Sequence, residues 1–148
     1  MRSPCPRLLY NEHTYCLSKV ELVRLDKYEQ FWLKKYGSLG SQNPNVIYHL
    51  GDNPDEFVCC STATGAFPSL RASMGVLWHP ASCTVVTGKE KLAIMGWPVF
   101  VSTAAAAGIS NFKIPLRKTR LGQFAGNAYH VAVMGAFMAS ALACVRLV

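Results

Sequence analysis

Leu121–Val148 reads LGQFAGNAYHVAVMGAFMASALACVRLV, and the rest of the chain is organised around it. Gly126-Asn127 offers a turn and an N-cap, and the residues after it include no Pro and one further Gly, which predicts a helix near 127–147. Val131 to Val145 carries no charge. At helical spacing, Val131, Met134, Met138, Leu142 and Val145 form a bulky ridge. Ala132, Gly135, Ala136, Ala139, Ser140 and Ala143 form a flat face. A helix with one large and one small apolar face is expected to be buried on both, against this chain or against something outside it. Its start, near Asn127, would present free N–H groups and a partial positive charge to an anionic or polar ligand.

Upstream, 148 residues suffice for a core, and 51% hydrophobic against 16% charged content excludes a disordered chain. Fifteen basic residues against eight acidic ones leave +7, which fits a polyanionic partner as well as a merely basic protein. Only Lys113–Arg120 is a dense basic run. The six cysteines, Cys5, Cys16, Cys59, Cys60, Cys83 and Cys144, include no CxxC and predict no metal site. Reduced thiols are the expectation. Arg2, Pro4, Pro6 and Arg7 break any apolar run at the start, so no signal peptide is expected. The uncharged core of the terminal segment, 15 residues, falls short of the ~20 that span a bilayer, so no membrane partner is expected.

Residues 1–16 read as an irregular lead-in and 17–148 as the folded part. Ser18 with Glu21 makes a capping box, apolar periodicity runs to Tyr36, and Gly37 stops it: a helix near 17–36. The aromatics Tyr28, Phe31, Trp32 and Tyr36 read as core. Short strands are expected between 46 and 86, with Val46–Leu50, Phe57–Ser61, Val76–Trp78 and Cys83–Val86 as the candidates. Thr87 with Glu90 makes a second capping box, for a helix near 87–96 closed by Trp97-Pro98. Ala104–Ala107 favours a helix near 100–107, and Phe112–Arg120 reads as a basic connector. The class is α/β, a mixed α+β fragment. His79 and His130 have no partner acid at a recognisable spacing and read as structural.

Three stretches then fall in a fixed order: Phe67-Pro68-Ser69-Leu70-Arg71-Ala72 with Leu77-Trp78-His79-Pro80; Thr87-Gly88-Lys89-Glu90 through Met95-Gly96-Trp97-Pro98; and Gln123-Phe124-Ala125-Gly126-Asn127-Ala128-Tyr129. From Phe67 to Val148 the chain resembles the C-terminal end of C5-cytosine DNA methyltransferases. In that family a Leu-Thr-x-x-Glu helix ends in Gln-Gly-Phe-Pro, and a Gln-x-x-Gly-Asn-Ala-Val turn precedes the last helix. The resemblance implies a piece completing a Rossmann-like methyltransferase domain, with S-adenosylmethionine as cofactor, DNA as partner and a nuclear or cytoplasmic setting. It implies that Asn127 and Tyr129 touch the donor, and that Thr87 and Glu90 are caps. Arg71, Lys113, Arg117, Lys118 and Arg120 are candidates for phosphate contacts.

The family's nucleophile lies in Pro-Cys-Gln and its acid in Glu-Asn-Val, and this sequence has neither. Its single Pro-Cys step, Pro4-Cys5-Pro6, lacks the Gln, and no GxG donor loop comes after a strand. No catalytic residue is therefore assigned. The expected role is a tail that needs a catalytic domain in cis or in trans. The rival readings are a non-enzymatic basic module binding DNA or protein, and a tail-anchored membrane protein.

Overall fold

The computed structural model describes residues 16–61, 65–71, 75–109, 118–128 and 130–144. The chain divides into two compact units, one of Met1–Ser69 with Gly75–Val86, the other of Leu70–Met74 with Thr87–Val148.

The first unit is built on helix α1, Lys19–Tyr36. Glu21 N–H donates to Ser18 Oγ at 3.3 Å, and Ser18 N–H donates back to the Glu21 carboxylate at 2.7 Å. Two orphan donors of the first turn are thereby satisfied. Gly37 ends the helix at φ 73°, a left-handed conformation that costs a residue without a Cβ little. Leu25, Tyr28, Glu29 and Trp32 fall on one stripe and are buried. They meet a three-stranded antiparallel sheet in the order β1 (Tyr48–His49), β2 (Leu77–His79), β3 (Thr84–Val85). Tyr48 pairs with Trp78, and Trp78 with Val85. The core gathers Leu17, Leu25, Tyr28, Trp32, Val46, Tyr48, Leu50 and Trp78, with Tyr28 stacked on Tyr48 at 4.9 Å. The aromatics of α1 expected inside are there, except Tyr36, which is exposed. Of the candidate strand Phe57–Ser61, a single bridge forms, Tyr48 to Cys60. His79 is structural: its Nε2 lies 2.8 Å from the Pro44 carbonyl and its Nδ1 2.6 Å from Ser82 Oγ. A carbonyl only accepts, so Nε2 carries the proton. The ring thus clamps the β2–β3 turn, where Cys83 sits at φ 54°.

The second unit contains α2 (Gly88–Ile94), α3 (Val101–Ala106), α4 (Lys118–Asn127) and α5 (Val131–Cys144). Thr87 and Glu90 form the second capping box: Glu90 N–H donates to Thr87 Oγ1 at 3.3 Å, and Thr87 N–H donates to Glu90 Oε2 at 2.7 Å. The core is thinner: Leu92, Val99 and Ala125 are buried, flanked by Leu70, Ala93, Trp97 and Leu121. Trp97 meets Phe124 edge-on at 5.8 Å, which joins the end of α2 to α4.

Three expectations need correction. The basic connector turns helical from Lys118, so the segment before the last helix is itself a helix. The last helix opens at Val131 and not near Asn127; its faces are not buried within this chain, one of the two outcomes expected of it, and Val133, Phe137 and Leu142 are 68%, 65% and 67% exposed. Of its residues only Met134 is half-buried. Finally, both strand pairings are antiparallel. The described residues hold no parallel βαβ unit, and the fold is a mixture of helices with a small antiparallel sheet that lends no support to a Rossmann completion.

Candidate functional site

Two places in the molecule bring chemistry-bearing residues together, one in each unit. In the second unit it is the junction between the end of α2 and the start of α5. Gly96 leaves α2 at φ 82°. A Cβ built there would stand 3.5 Å from Val131 Cβ and 3.7 Å from His130 Cε1. Val131 N–H donates to the Met95 carbonyl at 2.9 Å. Met95-Gly96 and the start of the last helix are therefore in direct contact, although 35 positions separate Gly96 from Val131.

Asn127 is the final residue of α4 and is exposed. It does not cap α5, which begins four positions later. A helix end presents carbonyls and a partial negative charge, so Asn127 does not supply the helix-start N–H groups expected of it. At the start of α5 the Met95 carbonyl takes one N–H. Tyr129, Lys113 and Arg117 lie outside the described residues, as does the side chain of Lys118. Arg71 and Arg120 are both exposed. Thr87 and Glu90 are caps, as the resemblance implies.

Counted from Gln123 to Cys144, the apolar segment is 22 residues, long and apolar enough to cross a membrane by length and composition. The uncharged core Val131–Val145 alone is too short. The fold interrupts this segment between Asn127 and Val131, where Val131 N–H bonds to Met95 and not to the preceding turn. A spanning helix keeps such bonds within itself.

In the first unit the turn after β1 gathers His49, Asp52 and Cys59. His49 Nδ1 lies 3.0 Å from Asp52 Oδ2. One ligand atom from each of the three residues lies within 4.8 Å of the other two. The backbone makes this possible. His49 N–H donates to the Cys59 carbonyl at 3.0 Å, and Ser61 N–H donates to the Ile47 carbonyl at 2.9 Å, so the returning chain runs against β1. Tyr28 ties both to α1: its hydroxyl donates to the His49 carbonyl at 3.2 Å and accepts from Cys59 N–H at 3.1 Å. Burial pushes this phenol up to about 12, and it stays neutral and able to do both. Arg24 donates to the carbonyls of Leu50 and Gly51, at 2.8 Å each. Gly51 packs on Gly75 so closely that a Cβ on it would stand 2.8 Å from Gly75 Cα. Asp52 opens onto a groove of about 640 Å³ bordered by Val20, Val23, Arg24, Asn53 and Glu56. Next to Cys59, Cys60 faces the core, and burial pushes its thiol up.

Sequence reasoning missed this cluster because His-x-x-Asp followed seven residues later by Cys matches no ligand spacing. The available signal was the Gly51-Asp52-Asn53-Pro54 turn placed one residue after a His in a strand. Such a turn sends the chain back along the strand and sets residues about ten apart against each other.

Compared with known proteins, the chain matches no family model, no curated protein and no solved structure.

Proposed function

We propose that this chain contributes the C-terminal portion of an S-adenosylmethionine-dependent DNA (cytosine-5) methyltransferase-like domain, and that it lacks a nucleophile of its own. One observation carries the reading. The two stretches on which the resemblance rests, Met95-Gly96-Trp97-Pro98 and Gln123-Phe124-Ala125-Gly126-Asn127-Ala128-Tyr129, meet where Trp97 packs edge-on against Phe124 at 5.8 Å. The bare α5 supports it further, because a tail of such a domain leaves apolar surface where the catalytic part docks. In this reading Asn127 and Tyr129 border the methyl donor. Arg71, Lys113, Arg117, Lys118 and Arg120 meet DNA phosphates and hold the duplex without reading its sequence.

The test is reconstitution. The chain is mixed with a cytosine-5 methyltransferase catalytic region truncated before its closing Gln-x-x-Gly-Asn-Ala-Val turn, and tritiated methyl transfer to duplex DNA is followed. Transfer is expected from the mixture and from neither piece, and Phe137→Asp in α5 is expected to abolish it. Transfer by the chain alone, or none from the mixture, overturns the proposal. The Gln123–Cys144 segment favours one second reading, a membrane anchor. Flotation of the purified chain with phospholipid vesicles in the absence of DNA would favour the anchor over the methyltransferase tail.

A further inference from the structure

We propose that His49, Asp52 and Cys59 form a divalent transition-metal site, with zinc as the fitting ion. This rests on the first unit alone and is independent of the methyltransferase reading. An imidazole nitrogen, a carboxylate oxygen and a sulfur converge within 4.8 Å. In a tetrahedral zinc site the ligand atoms lie about 2.0–2.3 Å from the ion, hence roughly 3.3–3.8 Å from one another. The His49–Asp52 pair, at 3.0 Å, already has nearly that separation. Side-chain rotations of about 1 Å bring in the sulfur, given those same bond lengths. The donor set chooses the ion: magnesium and calcium take oxygen ligands, whereas mixed nitrogen, sulfur and oxygen suit zinc.

The surroundings have what a metal site needs beyond its ligands. The His49 residue is 1% exposed, so the ligating face is dry. Asp52 opens to the groove, and a fourth, non-protein ligand can enter on that side. Tyr28 holds the backbones of both His49 and Cys59, and Arg24 holds the two carbonyls between His49 and Asp52. Such outer contacts fix ligand orientation before the ion arrives. Charge also balances: thiolate and carboxylate together offset the two positive charges. On coordination the Cys59 thiol proton, and any proton on the ligating ring nitrogen, leave to solvent.

The experiment uses the full chain and cobalt(II) as a spectroscopic probe, followed by zinc competition. One cobalt per chain is expected, with a thiolate-to-cobalt charge-transfer band that zinc displaces. Cys59→Ser removes the band, whereas Cys60→Ser and Cys16→Ser keep it. Asp52→Asn, a milder change at the half-buried edge, weakens cobalt affinity by tenfold or more while circular dichroism stays native. Zinc raises the melting temperature of the native chain and leaves that of Cys59→Ser unchanged. No thiolate band in the native chain, or a band of equal strength in Cys59→Ser, overturns the site. If Cys59→Ser does not fold, Asp52→Asn decides, and unchanged affinity there overturns the proposal.

Discussion

Helix α1 hides Leu25, Tyr28, Glu29 and Trp32 on one stripe, whereas α5, the more apolar of the two, hides nothing. The difference lies in patterning. In α1, charged residues occupy the outer positions, so one face is committed to the sheet. In α5 no polar face exists, so nothing in the helix says which side turns inward. The first unit is thus self-sufficient, with aromatic stacking and a bonded network around Tyr28. The second has four buried apolar residues among those described, Leu92, Val99, Ala104 and Ala125, and one bare helix. An apolar surplus without a polar stripe marks surface meant for something else.

Mutation can break or sharpen this contrast. The largest effect is expected from Trp32→Ala, which empties the centre of the first unit and lowers stability by about 3–5 kcal/mol in a urea melt. An effect below about 1 kcal/mol would mean that the first unit is no better packed than the second, a value typical of surface changes. Gly40→Ala is next, by the overpacking range of about 1–3 kcal/mol. A Cβ there falls on the buried Tyr48 hydroxyl, so the melting temperature drops. Thr87→Ala and Ser18→Ala each remove a cap and cost about 1 kcal/mol, one from each unit, so equal losses would show that local capping is indifferent to how well a unit is packed.

pH separates the units by sign. Burial raises the Glu29 carboxyl, against the N–H groups of Ser41 and Gly40 that it accepts from. Its contribution is therefore full below the ordinary glutamate range and is lost as pH rises through the raised value. Burial lowers the Lys91 ammonium. Its contribution is full above the ordinary lysine range and is lost as pH falls through the lowered value. Thermal melts across pH should lose the decline above the ordinary glutamate range in Glu29→Gln and the decline below the ordinary lysine range in Lys91→Met. The smallest change in stability is expected from Leu142→Asp on α5, within about 0.5 kcal/mol, while aggregation seen by light scattering falls. A large loss of stability there would show that the helix is covered after all.

Much of the helical architecture was legible in advance where the cause is local. The two capping boxes and the Gly37 stop act over three or four residues, and the structure has them. Helix α4 was missed because Phe112–Arg120 read as a basic connector and Gly126-Asn127 as the turn opening the last helix; its helical state goes with Leu121 and Ala125 packing beside Leu92. Phe57–Ser61 looked like a strand yet makes only one bridge. The His49–Asp52–Cys59 cluster was invisible, because it is united by the pairing of His49 with Cys59 and by the Tyr28 hydroxyl that spans them.

By itself the order of residues determined where α1 and α2 start, where α1 stops, and that the final segment is uniformly apolar, because caps, left-handed glycines and composition act within a turn or two of chain. Only the tertiary structure decided that Asn127 closes one helix and does not open the next, that the final helix is left uncovered, and that the side chains of His49, Asp52 and Cys59 converge at the turn after β1. Each of these depends on which backbone groups find partners far along the chain, a choice made by packing and by the cost of unpaired polar groups, and no window of neighbouring residues contains it.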